Sequence, residues 1–134
     1  LGVADIKREG KDVTIVSFGK IIKEVYAAAD ELQKENISCE IIDLRTIRPM
    51  DYDAILNSVK KTNRLVVVEE AWPFASVASE ITYMVQEQAF DYLDAPIQRI
   101  TTADTPAPFS PELLKEWLPN AKDVAKAVKK VMYK

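Results

Sequence analysis

Apolar positions along this chain follow two alternating periods, and the alternation predicts the architecture. Residues 3–9 (VADIKRE) alternate apolar and polar, which reads as an edge strand turned at Gly10-Lys11-Asp12. Val13 to Phe18 is a β-branched run that predicts a buried strand, ended by Gly19. From Lys20 to Asn36 the period becomes helical, with apolar residues at 21, 22, 25, 28, 29 and 32 sharing one face. Cys39 to Leu44 (CEIIDL) is the next strand. In the following loop, RTIRPMD, Pro49 biases Arg48 to an extended conformation and Asp51 is placed to cap a helix over residues 52–61. Ile55, Leu56 and Val59 mark that helix's buried side, and Lys60-Lys61 suit its C-terminal end.

The stretch RLVVVEEAWPFASVASEI, residues 64–81, is the organising one. An apolar strand over 64–69 ends in Glu69-Glu70, crosses a short turn and enters a helix over 75–89. A turn over 90–96 leads to a short strand at 97–101, then to an irregular segment, 103–111, holding prolines 106, 108 and 111. Helical pieces follow at 111–117 and 121–132, the last with Val124, Val128, Val131 and Met132 in a stripe. Strand–helix alternation of this kind implies right-handed crossovers. It predicts an α/β fold, a three-layer α/β/α sandwich around a five-stranded, mostly parallel sheet.

Composition narrows the function. With 134 residues, 48% apolar and 29% charged, the chain suits one domain with a full core. Acidic residues outnumber dispersed basic ones, 21 to 18, so nothing favours nucleic acid. No apolar run approaches the ~20 residues a membrane span needs, and no targeting peptide is visible. Histidine is absent and Cys39 is the one cysteine, so zinc sites and Ser-His or Cys-His nucleophile systems cannot be assembled. The three glycines, at 2, 10 and 19, form no phosphate loop. Cys39 reads as a buried thiol.

Glu69 and Glu70 are neighbours on a strand and point to opposite faces, so they are not a paired acid and base. Their expected role is structural, with Glu70 meeting the positive start of the next helix. Trp72, Pro73 and Phe74 place large apolar groups on a loop, either capping the core or forming an interface. Arg45 and Arg48 flank a strand-end loop and suit an anion or a salt bridge between surfaces. Asp94, before Ala95-Pro96, reads locally as a turn residue.

Four blocks carry a resemblance: IIDLRTIRPMD, SVKKTNRLVVVEEAW, FDYLDAP and WLPNAKDVAKAVKKVM. In order and spacing they resemble the C-terminal domain of the pyruvate dehydrogenase beta subunit, the beta chain of a thiamine-diphosphate-dependent decarboxylase. The similarity runs from Gly2 to the last residue. The branched-chain 2-oxo acid dehydrogenase relative is a weaker match, because it typically has a histidine before the glutamate of VVVEEAW. Transketolase and deoxyxylulose-phosphate synthase share the fold but resemble these blocks less. A stand-alone α/β small-molecule-binding protein is the alternative of a different class.

The resemblance implies a transketolase C-terminal fold, in which one antiparallel edge strand joins four parallel ones. It implies that thiamine diphosphate and Mg are bound outside this domain and that no catalytic residue lies in it. It also implies that residues 1–134 are one domain of a longer subunit whose pyrimidine-binding domain is not in this sequence, and that the isolated chain is inactive. The implied partners are an alpha subunit and a second beta subunit, in an α2β2 assembly, and the peripheral-subunit-binding domain of dihydrolipoyl acyltransferase. The acceptor for that last partner maps to Asp94 and the terminal carboxylate of Lys134, where two carboxylates can bind Arg or Lys of a basic partner. Arg48, Trp72 and Phe74 are the expected subunit-interface residues. The implied compartment is a bacterial cytoplasm or a mitochondrial matrix. Relatives carry glycines after VVVE where this chain has Ala71, Ser76 and Ala78, so close backbone approach to a ligand is not expected there.

Overall fold

A computed structural model describes residues 1–134. Five strands, β1 (Asp5–Arg8), β2 (Val13–Ser17), β3 (Cys39–Asp43), β4 (Leu65–Val68) and β5 (Gln98–Ile100), form one sheet in the order β1-β3-β2-β4-β5. β1 pairs antiparallel to β3 and every other pairing is parallel. The sheet is therefore the expected mixed one, with its odd strand at an edge. Five helices connect or cover it: α1 (Ile22–Lys34), α2 (Tyr52–Thr62), α3 (Val77–Ala89), α4 (Pro111–Trp117) and α5 (Ala121–Val131). A 3₁₀ turn at Phe90–Tyr92 occupies part of the segment read from sequence as a plain turn.

The layering follows from the period-2 alternation of the central strands. Ile15, Ile41, Val66 and Val68 pack with α1 and α5, through Val25, Leu32, Val124 and Val128. Val16, Ile42, Leu65 and Val67 pack on the other face with α2 and α3, through Ile55, Val59, Ile81 and Val85. Because both faces are covered, β2 and β4 are buried at every position. Each such aliphatic side chain contributes about 1.5–3 kcal/mol of burial.

Helix ends are set by local chemistry. Asp51 caps α2 by accepting from Ala54 N–H at 3.1 Å, as its position in the sequence implies. Asn63 ends the same helix at φ 66°, a left-handed conformation that asparagine tolerates. Asn120 and Asp123 form a reciprocal capping box at the start of α5.

One close approach requires glycine. A Cβ at Gly10 would stand 2.2 Å from the carbonyl carbon of Cys39. The turn that leads from β1 to β2 therefore lies directly against β3.

Candidate functional site

The sequence-predicted site residues fall into two groups at opposite ends of the sheet. β4 and β5 run parallel, so the corner after Val68 lies at the strands' C-terminal end and Asp94, before Gln98, at their N-terminal end.

At the C-terminal end, Glu69 is fully buried and accepts a hydrogen bond from Ala78 N–H at 2.5 Å. It caps the start of α3 together with Ser76, whose hydroxyl accepts from Ser79 N–H. This corrects the expectation for Glu70: the inward-facing neighbour meets the helix, and Glu70 is exposed. Register decides it, since β4 directs position 69 inward and position 70 outward. Glu70 instead lines an open cleft with Lys20, Lys23 and Lys115. Burial raises the pKa of Glu69, against the lowering effect of the Ala78 and Val77 N–H groups and Arg99. Its Oε1 has no hydrogen-bond partner.

The turn beyond does not cap the core. Trp72 is 53% exposed and Phe74 87% exposed. Ala75 follows at φ 54°, a conformation with a steric cost for any residue with a Cβ. Contacts hold the turn in place: Arg99 Nη1 donates to Pro73 O and to Ser79 Oγ. Arg48, reached through a cis peptide to Pro49, shares a cleft of about 740 Å³ with Ala75, Ser76 and Tyr52. Arg48 thus lines one cleft with Ala75 and Ser76 at the end of that turn, while Trp72 and Phe74 lie outside its lining.

At the N-terminal end, Asp94 is held by its backbone and left open at its carboxylate. Asp94 N–H donates to Asn63 O at 2.9 Å, and Tyr133 Oη donates to Asp94 O at 3.2 Å. The carboxylate is more than half exposed, and its nearest cation, Arg64 Nη2, stands at 3.9 Å. Arg64 is otherwise engaged, donating to Val131 O and Asp12 O. Lys134 N–H donates to Lys129 O. Asp94 and the residues after α5 therefore share a surface, fastened by Tyr133.

Sequence reasoning missed a buried polar chain between β3 and α2. Glu40, nearly inaccessible, accepts from Ser58 Oγ at 2.5 Å, from Gly10 N–H at 3.2 Å and from Lys61 Nζ. Thr14 Oγ1 continues it, 2.6 Å from Ser58 Oγ and 2.7 Å from Thr62 Oγ1. Burial alone would raise the pKa of Glu40; the hydrogen bonds from Lys61, Ser58 and Gly10 outweigh it and the net shift is downward. The signal was a glutamate inside CEIID, an otherwise apolar strand. Cys39 beside it is a buried free thiol, pushed up to about 11 by desolvation.

These donors do not suit a diphosphate cofactor with its metal. No three carboxylate, thiol or imidazole groups gather into a cation site. Gly2, Gly10 and Gly19 lie apart. No step of thiamine diphosphate chemistry is assigned to these residues. No helix is long and apolar enough to cross a membrane.

Comparison with known proteins places this geometry. Residues 2–124 match the family model described as transketolase, C-terminal domain. The pyruvate dehydrogenase E1 component subunit beta of Rickettsia felis is 55% identical over 132 residues, 98% of this chain and 40% of its own length. The Rhizobium meliloti protein of the same name is 54% identical over 134 residues, 100% of this chain and 29% of its own. The mitochondrial one of Dictyostelium discoideum is 49% identical over 131 residues, 98% and 37%. A solved structure titled as a split gene transketolase, an inactive beta4 tetramer, superposes with a TM-score of 0.85. It is 27% identical and covers 98% of this chain and 42% of that one. This chain spans well under half of each of these relatives. With its antiparallel edge strand, its order β1-β3-β2-β4-β5 and a family match over nearly its whole length, the chain belongs to the transketolase C-terminal domain family.

Proposed function

We propose that this chain is the C-terminal domain of a pyruvate dehydrogenase beta subunit, acting in assembly and docking within a larger subunit that contains a pyrimidine-binding domain. The observation that carries the reading is identity above 50% across nearly the whole chain to beta subunits of Rickettsia felis and Rhizobium meliloti. The complete enzyme would oxidatively decarboxylate pyruvate with thiamine diphosphate and Mg bound outside this domain, then acetylate lipoyl groups. Its compartment would be a bacterial cytoplasm or a mitochondrial matrix. This domain would be inactive alone. Its work is to join an alpha subunit and a second beta subunit in an α2β2 enzyme, with Arg48, Trp72 and Phe74 in a subunit contact. It would also receive the peripheral-subunit-binding domain of dihydrolipoyl acyltransferase at Asp94 and the carboxylate of Lys134.

The geometry supports docking at Asp94 in a specific way. Its backbone is fixed on both sides, so binding costs little ordering, while most of its carboxylate faces water. Arg64 partly neutralises it, and at 3.9 Å it leaves the oxygens free to accept from a partner's guanidinium. Titration with an acyltransferase subunit-binding domain tests this. Salt-sensitive binding, weakened by about 1–3 kcal/mol in Asp94→Ala, is the expected result. Absence of binding at any salt concentration would overturn the docking role. The subunit assignment is tested separately by reading the coding sequence upstream of Leu1, where a pyrimidine-binding domain is expected.

A further inference from the structure

The segment between β5 and α4 forms a built surface at the C-terminal end of the sheet. Both of the chain's tryptophans donate to one acceptor: Trp72 Nε1 to Thr105 O at 2.8 Å and Trp117 Nε1 to the same oxygen at 2.9 Å. The backbone before it is pinned as well, Thr102 N–H to Ala71 O at 3.0 Å and Ala103 N–H to Trp117 O at 3.1 Å. Pro106, Pro108 and Pro111 restrict φ through the rest of the strap. A segment with almost no regular structure is thus held rigid by two indoles, two backbone bonds and three prolines.

What it holds out is apolar. Phe109 is 104% exposed and Leu113, one helical turn before Trp117, is 56% exposed. Phe109 lies on the strap itself, Leu113 on the helix that follows it, and Trp72, bonded to Thr105 O, is 53% exposed two residues before the exposed Phe74. Neighbouring large apolar groups left in water on a rigid frame mark an interaction surface, and rigidity lowers the entropy cost of association. The charges nearby are one-sided. Glu70, Asp104, Glu112 and Glu116 are exposed and none takes part in an ion pair. Glu70 sits beside Lys20, Lys23 and Lys115 in one cleft, so the acidic excess belongs to the strap and α4. There Asp104, Glu112 and Glu116 face the single cation Lys115. Arg99 is engaged with Pro73 O and Ser79 Oγ.

We propose that the Thr105 strap is a docking surface for a different protein chain, one that offers an apolar pocket for Phe109 rimmed by Lys or Arg. The charge pattern selects this occupant over a second copy of the chain, because pairing the strap with itself would set its acidic excess against itself. The inference rests on the assembly reading above and specifies the chemistry of the contact that Trp72 and Phe74 enter. It is independent of Asp94, which lies at the other end of the sheet.

The two tryptophans supply the readout, since both bond to the strap. The chain is titrated with a tryptophan-free amphipathic helical peptide of leucine and lysine, and with its glutamate-for-lysine counterpart. Intrinsic fluorescence is followed at about 50 mM and about 500 mM salt. The expected result is a saturable spectral shift with the basic peptide at low salt, at least ~10-fold tighter than with the acidic one. It is expected to be lost in Phe109→Ala and weakened in Glu112→Gln/Glu116→Gln. Phe109 is fully exposed, so its variant keeps the fold, which circular dichroism verifies. Equal affinity for both peptides, or binding indifferent to Phe109→Ala, would overturn the proposal. So would a dimer in sedimentation velocity that Phe109→Ala dissolves, since the occupant would then be a second copy. Each of these failures leaves the acyltransferase titration and the upstream sequence unaffected.

Discussion

Lys61→Ala isolates the polar chain under β3. Lys61 supplies the one cation on Glu40, whose carboxylate is nearly inaccessible and also bonded by Ser58 and Gly10 N–H. A charge-assisted hydrogen bond contributes about 1.5–3 kcal/mol, and stripping a buried ion pair of one partner costs about 3–5 kcal/mol. Two features place this case toward the lower figure. The Lys61 side chain is half exposed, so solvent screens it, and two further donors remain on Glu40. A loss of about 2 kcal/mol is expected in urea unfolding at pH 7, seen as a lower midpoint with an unchanged m-value. The pH dependence follows from linkage. The folded pKa of Glu40 lies below its ordinary 4.5. Its contribution is therefore present above about 4.5 and lost as pH falls through the folded value. In Lys61→Ala that acid-limb loss shrinks, so the two proteins converge in stability as the solution is acidified. A loss under about 0.5 kcal/mol at pH 7, or an acid limb identical to the parent's, would refute a working Glu40–Lys61 pair.

Three further outcomes are expected. Gly10→Ala forces a Cβ to within 2.2 Å of the Cys39 backbone, where no flexible atom can yield; a loss above about 3 kcal/mol, or failure to fold, is expected in thermal or urea unfolding. Glu69→Gln retains an acceptor for Ala78 N–H and cannot ionise. The folded pKa of Glu69 is raised, so the parent's contribution is present below about 4.5 and lost as pH rises through the folded value. The variant should gain relative to the parent between pH 4 and pH 8 in paired unfolding curves, and a constant difference would contradict this. Finally, Cys39, buried and pushed up to about 11, should react with a disulfide reagent at pH 8 only as fast as the chain opens, with rates that rise in urea.

Much of the fold is legible in the sequence. The β-branched run at 13–18 and the helical periods at 21–32 and 124–131 report which residues leave water. Val13, Ile15, Val16, Val25, Leu32, Val124 and Val128 are fully buried, while Phe18 and Ile22 are partly so. Asp51 was readable as a cap because its hydrogen bond spans three residues. Glu70 was misassigned to the start of α3 because charge near a helix end is visible in sequence, whereas which of two adjacent glutamates turns inward depends on sheet register. The strap was read as an irregular crossing. Its two indole bonds span 33 and 12 residues, and no local pattern announces a shared acceptor.

By itself the sequence determined the alternation of strands and helices, the α/β fold class, the lack of histidine in these residues and the family blocks that include Asp94. These are properties of composition and of spacing within about one turn or one strand. Tertiary structure decided the strand order, the pairing of Glu40 with Lys61, the separation of Asp94 from the Trp72 corner at opposite ends of the sheet, and the clamp on Thr105. Each of these is a contact between residues distant in sequence. Such contacts exist only once the core has fixed where the elements lie, because burial drives the collapse without direction while hydrogen bonds and charges act over a few ångströms.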